Sequence, residues 1–115
     1  MKATIYHNPR CSKSRATLAL LEERGDEPAV VEYLKTPPSA KELRALLAKL
    51  GIAAKDLIRT NEPDWKASGL SLDSPERELI DLMVQHPILI ERPIVVVGDR
   101  ARIGRPPERV LELFE

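Results

Sequence analysis

A single cysteine, Cys11, in a chain of 115 residues excludes several architectures at once. One thiol cannot close an internal disulfide, so a disulfide-stapled secreted scaffold is ruled out. Nor can it supply a metal centre with two or more sulfur ligands, and no metal is expected. Net charge is also lacking, since 18 Lys and Arg balance 18 Asp and Glu. A dedicated nucleic-acid or membrane-surface binder usually carries a basic excess, so neither partner is expected. Long apolar runs are missing too. The opening MKATIYHNPR has no apolar core of signal-peptide length. The longest apolar stretches, such as Pro93 to Gly98, fall far short of the roughly 20 residues of a membrane span. What remains is an ordinary globular composition, 43% hydrophobic and 31% charged. The expectation is one domain over 1–115, cytoplasmic and monomeric.

The pattern along the chain alternates strands and helices. Ala3 to Tyr6 is β-like and breaks at His7-Asn8-Pro9. Ser12 to Arg24 reads as a helix closed by Gly25, and Ala29 to Leu34 as a second strand ending at Pro37-Pro38. Ser39 and Glu42 form a capping box, followed by Leu43, Leu46, Leu47 and Leu50 at helical spacing and a stop at Gly51. A helical turn covers Ala54 to Ile58, and Thr60 to Ser74 reads as polar and irregular. Ser74-Pro75-Glu76 opens another helix to about Gln85. Ile94 to Val97 is a buried strand, Gly98-Asp99 a turn, and Arg100 to Ile103 the returning strand. Pro106-Pro107 opens a last helix with Val110, Leu111 and Phe114 on one face. This order, β α β, helices, then β β α, predicts an α/β fold. It fits a thioredoxin-like core with a mixed sheet flanked by helices and a helical insertion at about 38–86.

Chemistry concentrates in His7-Asn8-Pro9-Arg10-Cys11-Ser12-Lys13-Ser14-Arg15, which holds three cationic side chains, one histidine and no carboxylate. Cys11 falls where a loop becomes a helix, and there the free N–H groups and the helix dipole favour a thiolate. Ser12 and Ser14 add hydroxyls, and Arg15 can fork onto an oxyanion. A lone cysteine is often just a small buried residue, but an electropositive helix start argues for a reactive one. Position 14 is serine, so the Cys-x-x-Cys pair of redox thioredoxins is absent. Any adduct on Cys11 must therefore be resolved by an outside thiol.

The same segment resembles the active-site loop of the glutaredoxin-coupled arsenate reductases. The likeness continues through 33–38, 57–61, 86–96 and 102–106. It implies a thioredoxin-like fold with an inserted helical subdomain, in agreement with the element order. It implies Cys11 as the nucleophile and Arg59, Arg92 and Arg105 as oxyanion-binding catalytic arginines. His7, Asn8, Ser12, Ser14 and Arg15 would support the site with Pro93, a proline that is typically cis in such folds. Arsenate would be the substrate, glutathione the co-substrate and glutaredoxin the protein partner, with no bound cofactor.

Elementary electrostatics supports three arginines in such a site. An arsenate anion and an attacking thiolate repel each other unless fixed cations offset the charge, and guanidinium does so while staying charged. A typical surface arginine is only a solvated charge, however, and the chain has eleven. His7 has two readings: it lowers the thiol pKa when protonated, or it merely ends a strand. His86 reads as a helix-end residue, Glu62 and Asp64 as a solvated loop face. Trp65 either covers the helical insertion or lies exposed in a loop. Two other functions fit the same chain: a glutathione-dependent thiol oxidoreductase or transferase on another substrate, and an RNA-polymerase-binding regulator of the same superfamily. The regulators carry an oxidisable Cys-x-x-Cys switch, which Ser14 interrupts.

Overall fold

The sheet is built from four short strands whose apolar residues recur with a period of two or run continuously. The computed structural model describes residues 2–115 and divides into two compact units. One comprises the chain up to Thr36 together with Arg92–Glu115, the other Pro37–Glu91.

In the first unit, strands β1 (Ala3–Tyr6), β2 (Ala29–Val31), β3 (Ile94–Val97) and β4 (Arg100–Ile103) lie in the order β2-β1-β3-β4. β1 pairs parallel with β2, placing Thr4 opposite Ala29, and antiparallel with β3, placing Thr4 opposite Val96. A parallel pair needs a crossover, and α1 (Ser12–Glu23) supplies it. β1 alternates, burying Ala3 and Ile5. β3 buries Ile94, Val95 and Val97, as a strand covered on both faces should. Ala3, Ile5, Leu21, Val95, Val97, Val110 and Leu113 form its core. The fold class is the mixed α/β sheet with flanking helices that the sequence predicts.

The end of β2 and the type of the last helix differ from the sequence reading. β2 stops at Val31 because the next residues turn: the N–H groups of Lys35 and Thr36 both donate to the Glu32 carbonyl, at 2.9 and 3.0 Å. The last helix is 3₁₀ rather than α over Pro107–Phe114. Prolines 106 and 107 have no N–H to give, and the first bond formed runs three residues, from Arg109 N–H to Pro106 C=O at 3.0 Å. The three-residue period buries Val110 and Leu113, not the Val110, Leu111 and Phe114 face of an α-helix.

The second unit is helical: α2 (Ala40–Leu50), α3 (Pro63–Ser68) and α4 (Glu76–Gln85), with 3₁₀ turns at Ala54–Asp56 and Pro87–Leu89. The predicted capping box forms, with Glu42 N–H donating to Ser39 Oγ at 3.1 Å and Ser39 N–H to Glu42 Oε1 at 3.3 Å. Such a cap contributes about 1 kcal/mol. Gly51 ends α2 in the left-handed region at φ 70°. Leu43, Leu46 and Leu47 of α2 and Leu79, Ile80 and Met83 of α4 are buried. α3 lies within the stretch expected to be irregular. Its six residues carry no apolar periodicity, but Pro63 starts it and Gly69 ends it at φ 75°. Trp65 is half-buried on this helix.

A two-strand contact completes the unit. Ile58 bridges Ile90 antiparallel. Arg59 N–H donates to Leu89 C=O and Glu91 N–H to Leu57 C=O, both at 2.8 Å. Arg59 and Glu91 are thereby set beside each other.

Candidate functional site

Cys11 occupies the N-cap of α1 with extended backbone, φ −94° and ψ 122°. It forms no side-chain cap hydrogen bond. The loop before it is tied from within. Asn8 C=O accepts from Cys11 N–H, and Asn8 Oδ1 accepts from Arg10 N–H, each at 3.0 Å. Arg15 Nη1 donates back to Pro9 C=O at 2.9 Å and closes the loop across the first turn of the helix. His7 N–H continues the β1–β2 ladder to Val31 C=O at 2.8 Å.

Ser14 is fully buried and points inward. Its Oγ shares a 2.6 Å hydrogen bond with His7 Nδ1 and accepts from Asn8 N–H at 3.0 Å. Its hydroxyl thus braces the loop, while Ser12 stays exposed at the helix start. Desolvation holds the His7 imidazole below its ordinary value of 6.5; Glu32 works against this and Arg15 adds to it. The fold thus favours the uncharged form of His7. A neutral ring lends no positive charge to a thiolate, which favours the strand-end reading of His7 over the charge-donating one.

The sulfur sits among cations and amides. Burial pushes the Cys11 thiol up, but the Ser14 N–H, the Arg92 guanidinium and the Lys13 N–H outweigh it and hold the thiol below its ordinary value. Arg105 Nη2 donates to Cys11 Sγ at 3.6 Å, and its Nε donates to Arg92 C=O at 2.8 Å. The same guanidinium thus spans the sulfur and the Arg92–Pro93 turn. That peptide bond is cis, as is Arg105–Pro106. Cys11 keeps 9% of its surface accessible, a narrow approach for an attacking group. His7, Asn8, Pro9 and Arg10 also wall a cleft of about 230 Å³ with Glu32, Leu34 and Lys35, and Cys11 is not among its lining residues.

The sheet unit therefore brings together Cys11, Arg92, Arg105 and the loop residues His7, Asn8, Ser12, Ser14, Arg15 and Pro93. Arg59 belongs to the helical unit. There its Nη1 donates to Glu91 Oε1 at 2.6 Å and its Nε to Glu62 Oε2 at 3.3 Å. Glu62 is consequently more than a solvated loop residue, and the i, i+3 spacing from Arg59 was the signal for it. Glu91 gave no such signal, because only the 57–59 and 89–91 pairing brings it near. Asp64 Oδ2 pairs with His86 Nδ1 at 3.0 Å, and His86 ends α4. Among the described residues, no three His, Cys, Asp or Glu side chains cluster as a metal site would require. Also among them, no helix is long and apolar enough to cross a membrane.

A depressed thiol flanked by two guanidinium groups and helix-start amides can hold an oxyanion against a nucleophilic sulfur. Comparisons with known proteins agree with that chemistry. The model of the ArsC family matches residues 6–113. YfgD, an uncharacterized protein of Escherichia coli (strain K12), is 57% identical over 95% of this chain and 93% of its own. An arsenate reductase of Haemophilus influenzae is 49% identical over 99% of this chain and 100% of its own. The solved structure of an arsenate reductase from Vibrio cholerae superposes with a TM-score of 0.90 at 49% identity, covering 98% of each chain. On these matches, which span nearly its whole length, the chain belongs to the ArsC family.

Proposed function

We propose that this chain reduces arsenate to arsenite, with Cys11 as the nucleophile and glutathione and glutaredoxin as the source of electrons. The observation that carries the reading is the Cys11 sulfur, depressed in pKa and bonded by Arg105 Nη2 at 3.6 Å at the start of α1. The arsenate reductases at 48–49% identity lend it their substrate. The Cys11 thiolate attacks arsenic and displaces water or hydroxide, forming a sulfur–arsenic bond. Converting arsenate to arsenite takes two electrons, which two thiols supply as they join in a disulfide. Because the chain holds one cysteine, external thiols complete the cycle: glutathione at the adduct, then glutaredoxin to clear the mixed disulfide.

Arg59 and Arg92 offset the charge of the oxyanion, and Arg105 holds the intermediate. His7, Asn8, Ser12, Ser14, Arg15 and Pro93 keep the loop in shape. Residues from about 38 to 86 are then a helical insertion within one thioredoxin-like domain that acts as a monomer. The need for reduced thiols places the reaction in the cytoplasm.

The test is arsenate-dependent NADPH oxidation in the presence of glutathione, glutaredoxin and glutathione reductase. Wild type is expected to turn over only with glutathione present. Cys11→Ser should lose activity on the order of a thousandfold while folding normally. A folded wild type with a low-pKa thiol and no arsenate turnover would remove arsenate as the substrate and leave a thiol enzyme of another specificity.

A further inference from the structure

α1 faces inward through Ser14, Thr17 and Leu21. Over its first two turns that buried face is small and polar, which contributes little apolar burial. Its occupants explain why. Thr17 is fully buried, and its Oγ1 is fixed by donating to the Lys13 carbonyl at 2.8 Å. Gly104 lies directly against it. A Cβ placed on Gly104 would stand 2.5 Å from Thr17 Oγ1, 3.2 Å from Thr17 Cγ2 and 2.9 Å from Pro93 Cγ. Real Cβ atoms do not come that close, and neither neighbour is the far end of a flexible side chain. The close seat is clipped by backbone: Gly104 N–H donates to Pro93 C=O at 3.0 Å. The next residue, Arg105, then ties its Nε to Arg92 C=O and reaches Cys11 Sγ.

Three segments meet at this one point: the helix that begins at Cys11, the turn carrying Arg92 and the strand end carrying Arg105. We propose that Gly104 is a positioning residue for the reaction, its missing side chain letting the end of β4 seat between Thr17 and Pro93 so that Arg105 meets the Cys11 sulfur. Gly104 touches no substrate, and its effect runs through Arg105. The inference rests on the reading of Cys11 as the nucleophile but not on arsenate as the substrate.

The test reads the thiol itself, by thiolate absorbance and by the pH profile of iodoacetamide alkylation, with no arsenate present. Gly104→Ala is expected to raise the Cys11 pKa, because it draws the Arg105 guanidinium away from the sulfur it touches at 3.6 Å. Thr17→Ala alone should lower the melting temperature and leave the thiol pKa in place. In the double variant Gly104→Ala/Thr17→Ala, two of the three obstructing atoms are gone, Pro93 Cγ at 2.9 Å remaining, and the pKa should move back towards wild type. That recovery separates positioning from general loss of stability, since the double variant is not the more stable one. A folded Gly104→Ala with an unshifted thiol overturns the proposal, and so does a shift that the second substitution fails to reverse. If Gly104→Ala alone does not fold, the folded double variant decides: a wild-type thiol pKa supports the proposal and a raised one overturns it. Loss of the arsenate reading would show in the turnover assay and leave this titration untouched.

Discussion

In the sheet unit Arg105 and Arg15 are each oriented by a backbone carbonyl, at 2.8 and 2.9 Å, whereas in the helical unit Arg59 is gripped by two carboxylates. The difference matters because the two anchors carry different charge and different freedom. A carbonyl orients a guanidinium with a partial charge, and the fold fixes its position. A carboxylate brings a full opposite charge on a side chain that a substitution can remove. Arg105 is therefore sensitive to backbone placement, and Arg59 to its neighbours' identities.

The sharpest test of this contrast is Arg105→Lys. Lysine keeps the positive charge but cannot span the Arg92 carbonyl and the Cys11 sulfur at once. It should raise the thiol pKa and cut arsenate kcat/KM about a hundredfold, with little change in melting temperature. If stability fell and the thiol did not move, the carbonyl-anchored arginine would be structural and the contrast would fail.

The carboxylate clamp should answer in the opposite way. Glu91→Gln removes the charge from the shorter contact to a guanidinium that is only 14% exposed, and chemical denaturation should report a loss of about 1–2 kcal/mol. Glu62→Gln, which removes the 3.3 Å contact, should cost about half as much. Equal costs would mean that distance does not rank the two anchors.

The smallest effect expected is in pH dependence. Desolvation lowers the folded-state pKa of His7 below 6.5, so the unfolded chain takes up a proton that the folded one refuses. Its contribution is present above about 6.5 and is lost as pH falls through the lowered folded value. Cys11 acts in the same direction in a higher window. With its folded pKa below 9.0, stability rises from that lowered value towards 9. Denaturation curves for His7→Asn and Cys11→Ser should each flatten one window and spare the other.

Much of this was legible in the sequence where the signal is local. Ser39, Glu42 and Gly51 announced α2, and the cationic run around Cys11 pointed to a lowered thiol pKa at a helix start. The blocks holding Arg59, Arg92 and Arg105 carried the family resemblance. What escaped depends on contacts across the chain. Ser14 reads only as a hydroxyl donor of the loop until the fold turns it towards His7. Gly104 looks like an ordinary loop glycine until Thr17 and Pro93 close around it. Glu91 becomes a partner of Arg59 only after residues 57–59 pair with 89–91. α3 was hidden for another reason: six residues are too few to show a periodicity, leaving only Pro63 and Gly69 as its punctuation.

The sheet order has a consequence in time. Its central pair joins β1, near the start of the chain, to β3, near the end, and Cys11 meets Arg105 from 94 residues away. The helices of Pro37–Glu91 can form from near neighbours, but the sheet must wait for the last strands to leave the ribosome. Until then Cys11 has only the N–H groups at the start of its own helix and lacks Arg92 and Arg105. The cationic part of the Cys11 environment is therefore assembled last, by the strands that bring Arg92 and Arg105 to the sulfur.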